Sequence, residues 1–157
     1  MSRLSLGFLA FAAWVALLAT IAVAADLPDF SGKYRKVKHA GSLIEVVQNT
    51  DSMEITITKL GKPVISRYPL INGPAACSSP EGTPGQCTAH FKGNELILRT
   101  AFLTRRQVND TPTRAIREER WRLSQDLRRL TIEQQTDFPD IGESQVGFTS
   151  LEYERVE

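Results

Sequence analysis

Between Phe30 and Val156 the chain alternates apolar and polar residues almost without a break, with turn-forming residues at roughly eight- to twelve-residue intervals. Successive side chains of a strand point to opposite faces, so this pattern specifies strands with one buried face. The run Met53-Glu54-Ile55-Thr56-Ile57-Thr58 is the clearest case, because it places Met53, Ile55 and Ile57 on one face.

Nine strands are expected, at about 31–38, 42–48, 52–59, 63–71, 86–91, 95–103, 113–123, 129–136 and 148–156. Asn49-Thr50-Asp51 and Lys92-Gly93-Asn94 read as hairpin connectors. Leu60-Gly61-Lys62-Pro63 offers Gly for a positive φ and Pro at the head of a strand. Ser124-Gln125-Asp126 turns the chain between two long strands, while 72–85, 105–112 and 138–147 read as longer loops. Residues 118–123 have helical propensity, but Trp121, Leu123, Leu130 and Ile132 fit two alternating strands better. Consecutive strands on short loops pair antiparallel, and a long up-and-down sheet removes its edges by closing. The expected fold class is therefore all-β, an antiparallel meander closing into a barrel of eight or nine strands.

The inner face of that barrel is expected to carry Tyr34, Ile44, Val46, Met53, Ile55, Ile57, Tyr68, Leu70, Ala89, Phe91, Leu96, Leu98, Trp121, Leu123, Leu130, Ile132, Leu151 and Tyr153. On four strands the same face runs on into Gln48, Thr100, Glu119 and Gln134. A lumen that is apolar at one end and polar at the other would orient a ligand.

Residues 1–24 read as a signal peptide, with Arg3 as the basic start, an apolar stretch over 6–23, and Ala22-Val23-Ala24 as an A-x-A cleavage site. The apolar stretch is long for that purpose, which leaves an uncleaved membrane anchor as the alternative. No Cys follows it, so a lipoprotein anchor at that point is excluded. Residues 25–157 then form a single domain, secreted or periplasmic. The formal charge is +1, from 19 Lys and Arg against 18 Asp and Glu. A nucleic-acid binder of this size is normally strongly basic, which argues against that class. The two cysteines, Cys77 and Cys87, are too few for a cysteine zinc site and lack the spacing of a Cys-x-x-Cys redox pair. After export they are expected to form a disulfide, contributing about 2–3 kcal/mol by closing a short loop.

Several short motifs resemble those of a known group. Asp29-Phe30-Ser31-Gly32-Lys33-Tyr34 resembles the DFSG-x-W opening of secreted bacterial lipocalin-like domains of uncharacterised function. The hairpin from Ala89 to Leu96 is similar to that group's A-x-W-x-G-x-x-L, and Glu119 to Ile132 to its E-x-W-x-L-S-x-D-G-x-x-L-T. The closing Leu151-Glu152-Tyr153-Glu154-Arg155 also fits. Tyr34 and Phe91 stand where the group has Trp, and Leu127 stands where it has the turn Gly. The resemblance implies a lipocalin-like barrel and no catalytic residues.

Nucleophilic catalysis needs a base beside a Ser, Thr or Cys, and the only histidines are His39 and His90. His39 lies in a turn and His90 alternates outward between Ala89 and Phe91, so neither metal nor cofactor is expected. Glu119 shares a face with Trp121 and Leu123, and a buried carboxylate requires a partner. Arg117, Arg99 or Tyr153 would serve. Arg105, Arg106, Arg114, Arg117, Arg120, Arg122, Arg128 and Arg129 precede an acidic stretch containing Glu133, Asp137, Asp140, Glu143, Glu152, Glu154 and Glu157. Cross-strand ion pairs on the outer face are the expectation, with an anionic partner at the Arg105-Arg106 loop as the alternative. Asn109-Asp110-Thr111 matches a glycosylation sequon and reads as a chance match beside a bacterial leader.

The leading expectation is an exported carrier of a small apolar or amphipathic molecule. Its ligand-binding residues would be Tyr34, Gln48, Tyr68, Phe91, Thr100, Glu119, Trp121, Gln134 and Tyr153. Membrane contact is expected only through an uncleaved leader. The rival is a non-enzymatic module that binds a partner through the stapled 72–85 loop or the arginine-rich surface. The two differ in whether the lumen or the outside makes the contact.

Overall fold

A computed structural model of the chain describes residues 27–38, 41–70, 73–79, 82–105 and 110–156. The expected signal peptide, His39, Arg106, Asn109 and the centre of the 72–85 loop at Pro80 and Glu81 lie outside the described residues.

Ten strands form one antiparallel sheet. They are β1 (Gly32–Lys36), β2 (Ser42–Gln48), β3 (Ser52–Lys59), β4 (Lys62–Pro69), β5 (Ala75–Ser78), β6 (Pro84–Lys92), β7 (Glu95–Thr104), β8 (Thr113–Leu123), β9 (Arg129–Phe138) and β10 (Glu143–Arg155). The spatial order β4-β3-β2-β1-β10-β9-β8-β7-β6-β5 pairs every strand with its sequence neighbours except β4 with β5, and joins β1 to β10. The meander therefore curls into a nearly closed barrel, with a seam where β4 meets β5. Side chains bridge that seam. The Ser66 hydroxyl donates to the Ser78 carbonyl at 2.6 Å, and the Tyr68 and Thr100 hydroxyls lie 3.0 Å apart.

The expected strands are present, and one more besides. β5 lies within the stretch read as a 72–85 loop, where Ala75-Ala76-Cys77-Ser78 is too short and too weakly alternating to show a period. The stretch read as a 138–147 loop holds a 3-10 turn, Pro139–Ile141, and the first residues of β10. Register shifts between Glu143 and Thr149, with Gly147 at φ 68°, break the alternation there.

Every residue assigned to the inner face lies in or against one core cluster. Phe30 joins it, fully buried, with its ring 6.3 Å from Phe91 and 6.4 Å from Trp121. A smaller cluster of Phe102, Ala115 and Phe138 lies beyond it along the longer strands β7–β9. On the outer face Arg122 pairs with Glu95 and, at 3.0 Å, with Glu133, as the cross-strand expectation requires. Arg120 instead takes Glu118 of its own strand at 3.1 Å. Such exposed pairs contribute about 0–1 kcal/mol each.

Candidate functional site in the barrel lumen

The segment before β1 closes one end of the barrel. Gln48 accepts a hydrogen bond from the Phe30 amide at 3.0 Å and donates to the Pro28 carbonyl at 3.1 Å. Tyr34 donates to the Phe30 carbonyl at 2.8 Å and accepts from Arg155 at 2.7 Å. These bonds seat Phe30 as a plug, so the lumen is filled at this end.

The other end is open. A cavity of about 450 Å3 lies between the wall of β1–β3 and the wall of β8–β10. Strand register explains its layering. Trp121 faces Ile132, which faces Leu151, while Ile44 faces Ile57 on the opposite wall. One pleat nearer the mouth, Glu119 faces Gln134 and Gln134 faces Thr149. Alternate residues of a strand share a face, so an apolar row is succeeded by a polar row on the same wall. Arg117, Ser42 and Tyr153 complete the polar lining, and Lys36, Lys59 and Leu60 stand at the mouth.

Glu119 is 7% exposed, and its Oε2 accepts a hydrogen bond from the Trp121 indole at 2.9 Å. The indole was not among the expected partners. It is nevertheless on the same face, two residues along the strand. Arg99, one of the expected partners, is exposed on the outer face. Tyr153 is buried, and desolvation together with the charge of Glu119 pushes its pKa up to about 12. The lumen therefore holds a neutral phenol at ordinary pH.

The nine expected ligand-binding residues divide by position. Glu119, Trp121, Gln134 and Tyr153 line the cavity together. Tyr34, Gln48 and Phe91 belong to the closed end. Tyr68 and Thr100 meet near the seam beside Cys87, whose sulfur lies 3.5 Å from the Thr100 hydroxyl. Sequence reasoning missed Ser42, Thr149, Lys36 and Lys59 as lining residues, although the same alternation extended one step would have reached Thr149.

Cys77 and Cys87 are disulfide-bonded and tie β5 to β6, which fits an oxidising compartment. His90 is exposed, and among the described residues no group of three or more His, Cys, Asp or Glu is arranged to hold a metal. Outside the barrel, an open groove of about 650 Å3 runs over β6–β8. Pro74 and Pro84 border it, Ala101, Leu103 and Ile116 line it, and Arg99 and Arg114 flank it.

No known protein family and no curated protein matches the chain by sequence. Among solved structures, the barrel is similar to apo lipid binding protein 8 of Caenorhabditis elegans. The TM-score is 0.56 and the sequence identity 10%, over 83% of this chain and 99% of that one. At this identity the likeness is one of fold, a nearly closed antiparallel barrel.

Proposed function

We propose that the barrel binds a small apolar or amphipathic molecule in its lumen and acts as an exported, non-enzymatic carrier. The observation that carries this reading is the open-mouthed cavity of about 450 Å3, apolar toward the plug and polar toward the mouth. Its size suits a small ligand, and its few converging polar groups suit orientation of a head group. The fold shared with a lipid-binding protein and the disulfide support the same reading. Glu119 is engaged by the Trp121 indole, which favours a binding role over acid–base work.

Trp121 lines the cavity and, apart from Trp14 in the leader, is the chain's tryptophan. Its fluorescence therefore reports occupancy directly. Titration with an apolar probe should shift the Trp121 emission, and Ile57→Trp, which narrows the cavity, should weaken uptake at least tenfold. A protein that takes up no apolar probe, and yields no small molecule on native mass spectrometry from its own host, would overturn the carrier reading.

The outer groove over β6–β8 favours a second reading, in which a partner docks beside the stapled loop. Its apolar floor and two flanking arginines fit an apolar segment with acidic ends. Leu103→Ser with Arg114→Ser should then abolish partner capture while leaving probe uptake intact.

A further inference from the structure

Two turns at the open end of the barrel share one composition. Lys36-Val37-Lys38 carries the chain out of the end of β1, and Lys59-Leu60-Gly61-Lys62 spans the turn from β3 to β4. In each, an exposed aliphatic side chain stands between lysines. Leu60 is 95% exposed and Val37 48% exposed.

Leu60 is also in a conformation that the fold gives no reason to assign to leucine. Leu60 and Gly61 have φ of 50° and 75°, the two-residue hairpin geometry with both central residues left-handed. Asn and Gly adopt it readily, and a branched apolar side chain does so only against its Cβ sterics. Among the described residues nothing buries Leu60. Leu127 shares the left-handed conformation, but Leu60 alone of the two is almost fully exposed and flanked by lysines, and that pairing points to a contact made outside the chain.

Charge identifies that contact. Arg67, Arg120 and Arg122 are paired with carboxylates on the barrel walls. Lys36, Lys38, Lys59 and Lys62 form no ion pair among the described residues. Glu152 borders the adjoining recess with Lys36 and Lys38, Glu119 lies deeper in the lumen, and Asp140 and Glu143 stand on the opposite rim, at the β9–β10 connection, where Asp140 is held by the Arg114 amide. The geometry points to an anionic lipid bilayer as the partner of this end. The lysines lie at the head groups, Leu60 and Val37 enter the interface, and the cavity mouth faces the membrane. Lysines near an anionic surface and aliphatic side chains inserted at the interface act together in this way. Contact is thus made by the barrel mouth rather than by the leader. The inference goes beyond the carrier reading, because it holds with the cavity empty.

The test places an environment-sensitive dye at Leu60→Cys or, as a control, at Leu127→Cys, which is 50% exposed on the β8–β9 turn at the opposite end. Single labelling is feasible because Cys77 and Cys87 are disulfide-bonded and none of the described cysteines is free. Vesicles of phosphatidylcholine and phosphatidylglycerol should shift the emission at position 60 and leave position 127 unchanged. Phosphatidylcholine alone, or high salt, should remove the shift. In full-length protein, Lys38→Gln with Lys62→Gln should lower vesicle affinity by roughly 25-fold, at about fivefold per lysine. Leu60→Asn should lower it about tenfold without loss of thermal stability, since Asn tolerates the left-handed turn. Equal shifts at both positions would assign binding to the leader and overturn the proposal. So would an absent shift at position 60, or binding to a soluble acidic polypeptide as tight as to the vesicles.

Discussion

At the scale of single residues, two leucines occupy backbone positions that favour glycine. Leu127 sits at φ 58° in the β8–β9 turn, half exposed. It stands where the resembling lipocalin-like domains carry glycine. A left-handed conformation costs an L-residue about 1–2 kcal/mol, and the extra freedom of glycine in the unfolded chain returns part of that. Leu127→Gly should therefore stabilise the protein by about 0.5–1 kcal/mol, read as a higher denaturant midpoint with an unchanged slope. Tyr153 supplies a second residue-scale test. Its folded pKa of about 12 lies above the value of about 10 expected for an unfolded tyrosine. The neutral phenol is favoured by folding, so its contribution is fully present below about pH 10 and is lost as pH rises toward about 12. Absorbance titration, compared with Tyr153→Phe, should show this late ionisation, and Glu119→Gln should bring it to lower pH by removing the nearby charge.

Among the elements, the β5–β6 hairpin depends most on features other than hydrophobic alternation. β5 has four residues and pairs in the sheet with β6 alone. The disulfide holds the pair together, and its reduction should cost about 2–3 kcal/mol, measured by denaturation with and without reductant. Gly85 on β6 lies where the sheet leaves no room for a side chain. A Cβ there would sit 2.6 Å from the Ala101 carbonyl oxygen. Gly85→Ala should destabilise by about 1–3 kcal/mol through forced separation of β6 from β7. The comparison variant is Gly41→Ala, where a Cβ meets nothing within 4 Å, and it should leave stability almost unchanged.

For the whole molecule, the barrel has a filled end, an open end and a seam. Along the seam β4 and β5 meet through side chains, so their outer backbone groups lack the ladder that protects the other strands. Amides of β5 and the facing edge of β4 should exchange with solvent well before those of β8 and β9, and faster still after reduction. Equal protection all round the barrel would show that the seam opens only with global unfolding.

Alternation by itself missed β5 and the start of β10 but determined nine of the ten strands, their antiparallel order and the identity of the inner face. Each of these follows from a local period and from short connections. Trp121 and Glu119 were legible as lumen neighbours because they are two residues apart on one strand. Tertiary structure alone decided how the lumen is used. Gln48 and Tyr34 face inward as their parity requires, yet their polar atoms hold Phe30, a contact that depends on where the preceding segment crosses the barrel. The mouth likewise brings Lys36 and Lys59 beside Gln134 and Thr149 from distant strands, and a lining of that kind is fixed only by closure. A period of two assigns a side chain to a face. Which neighbours it meets there depends on register, closure and the path of the chain ends.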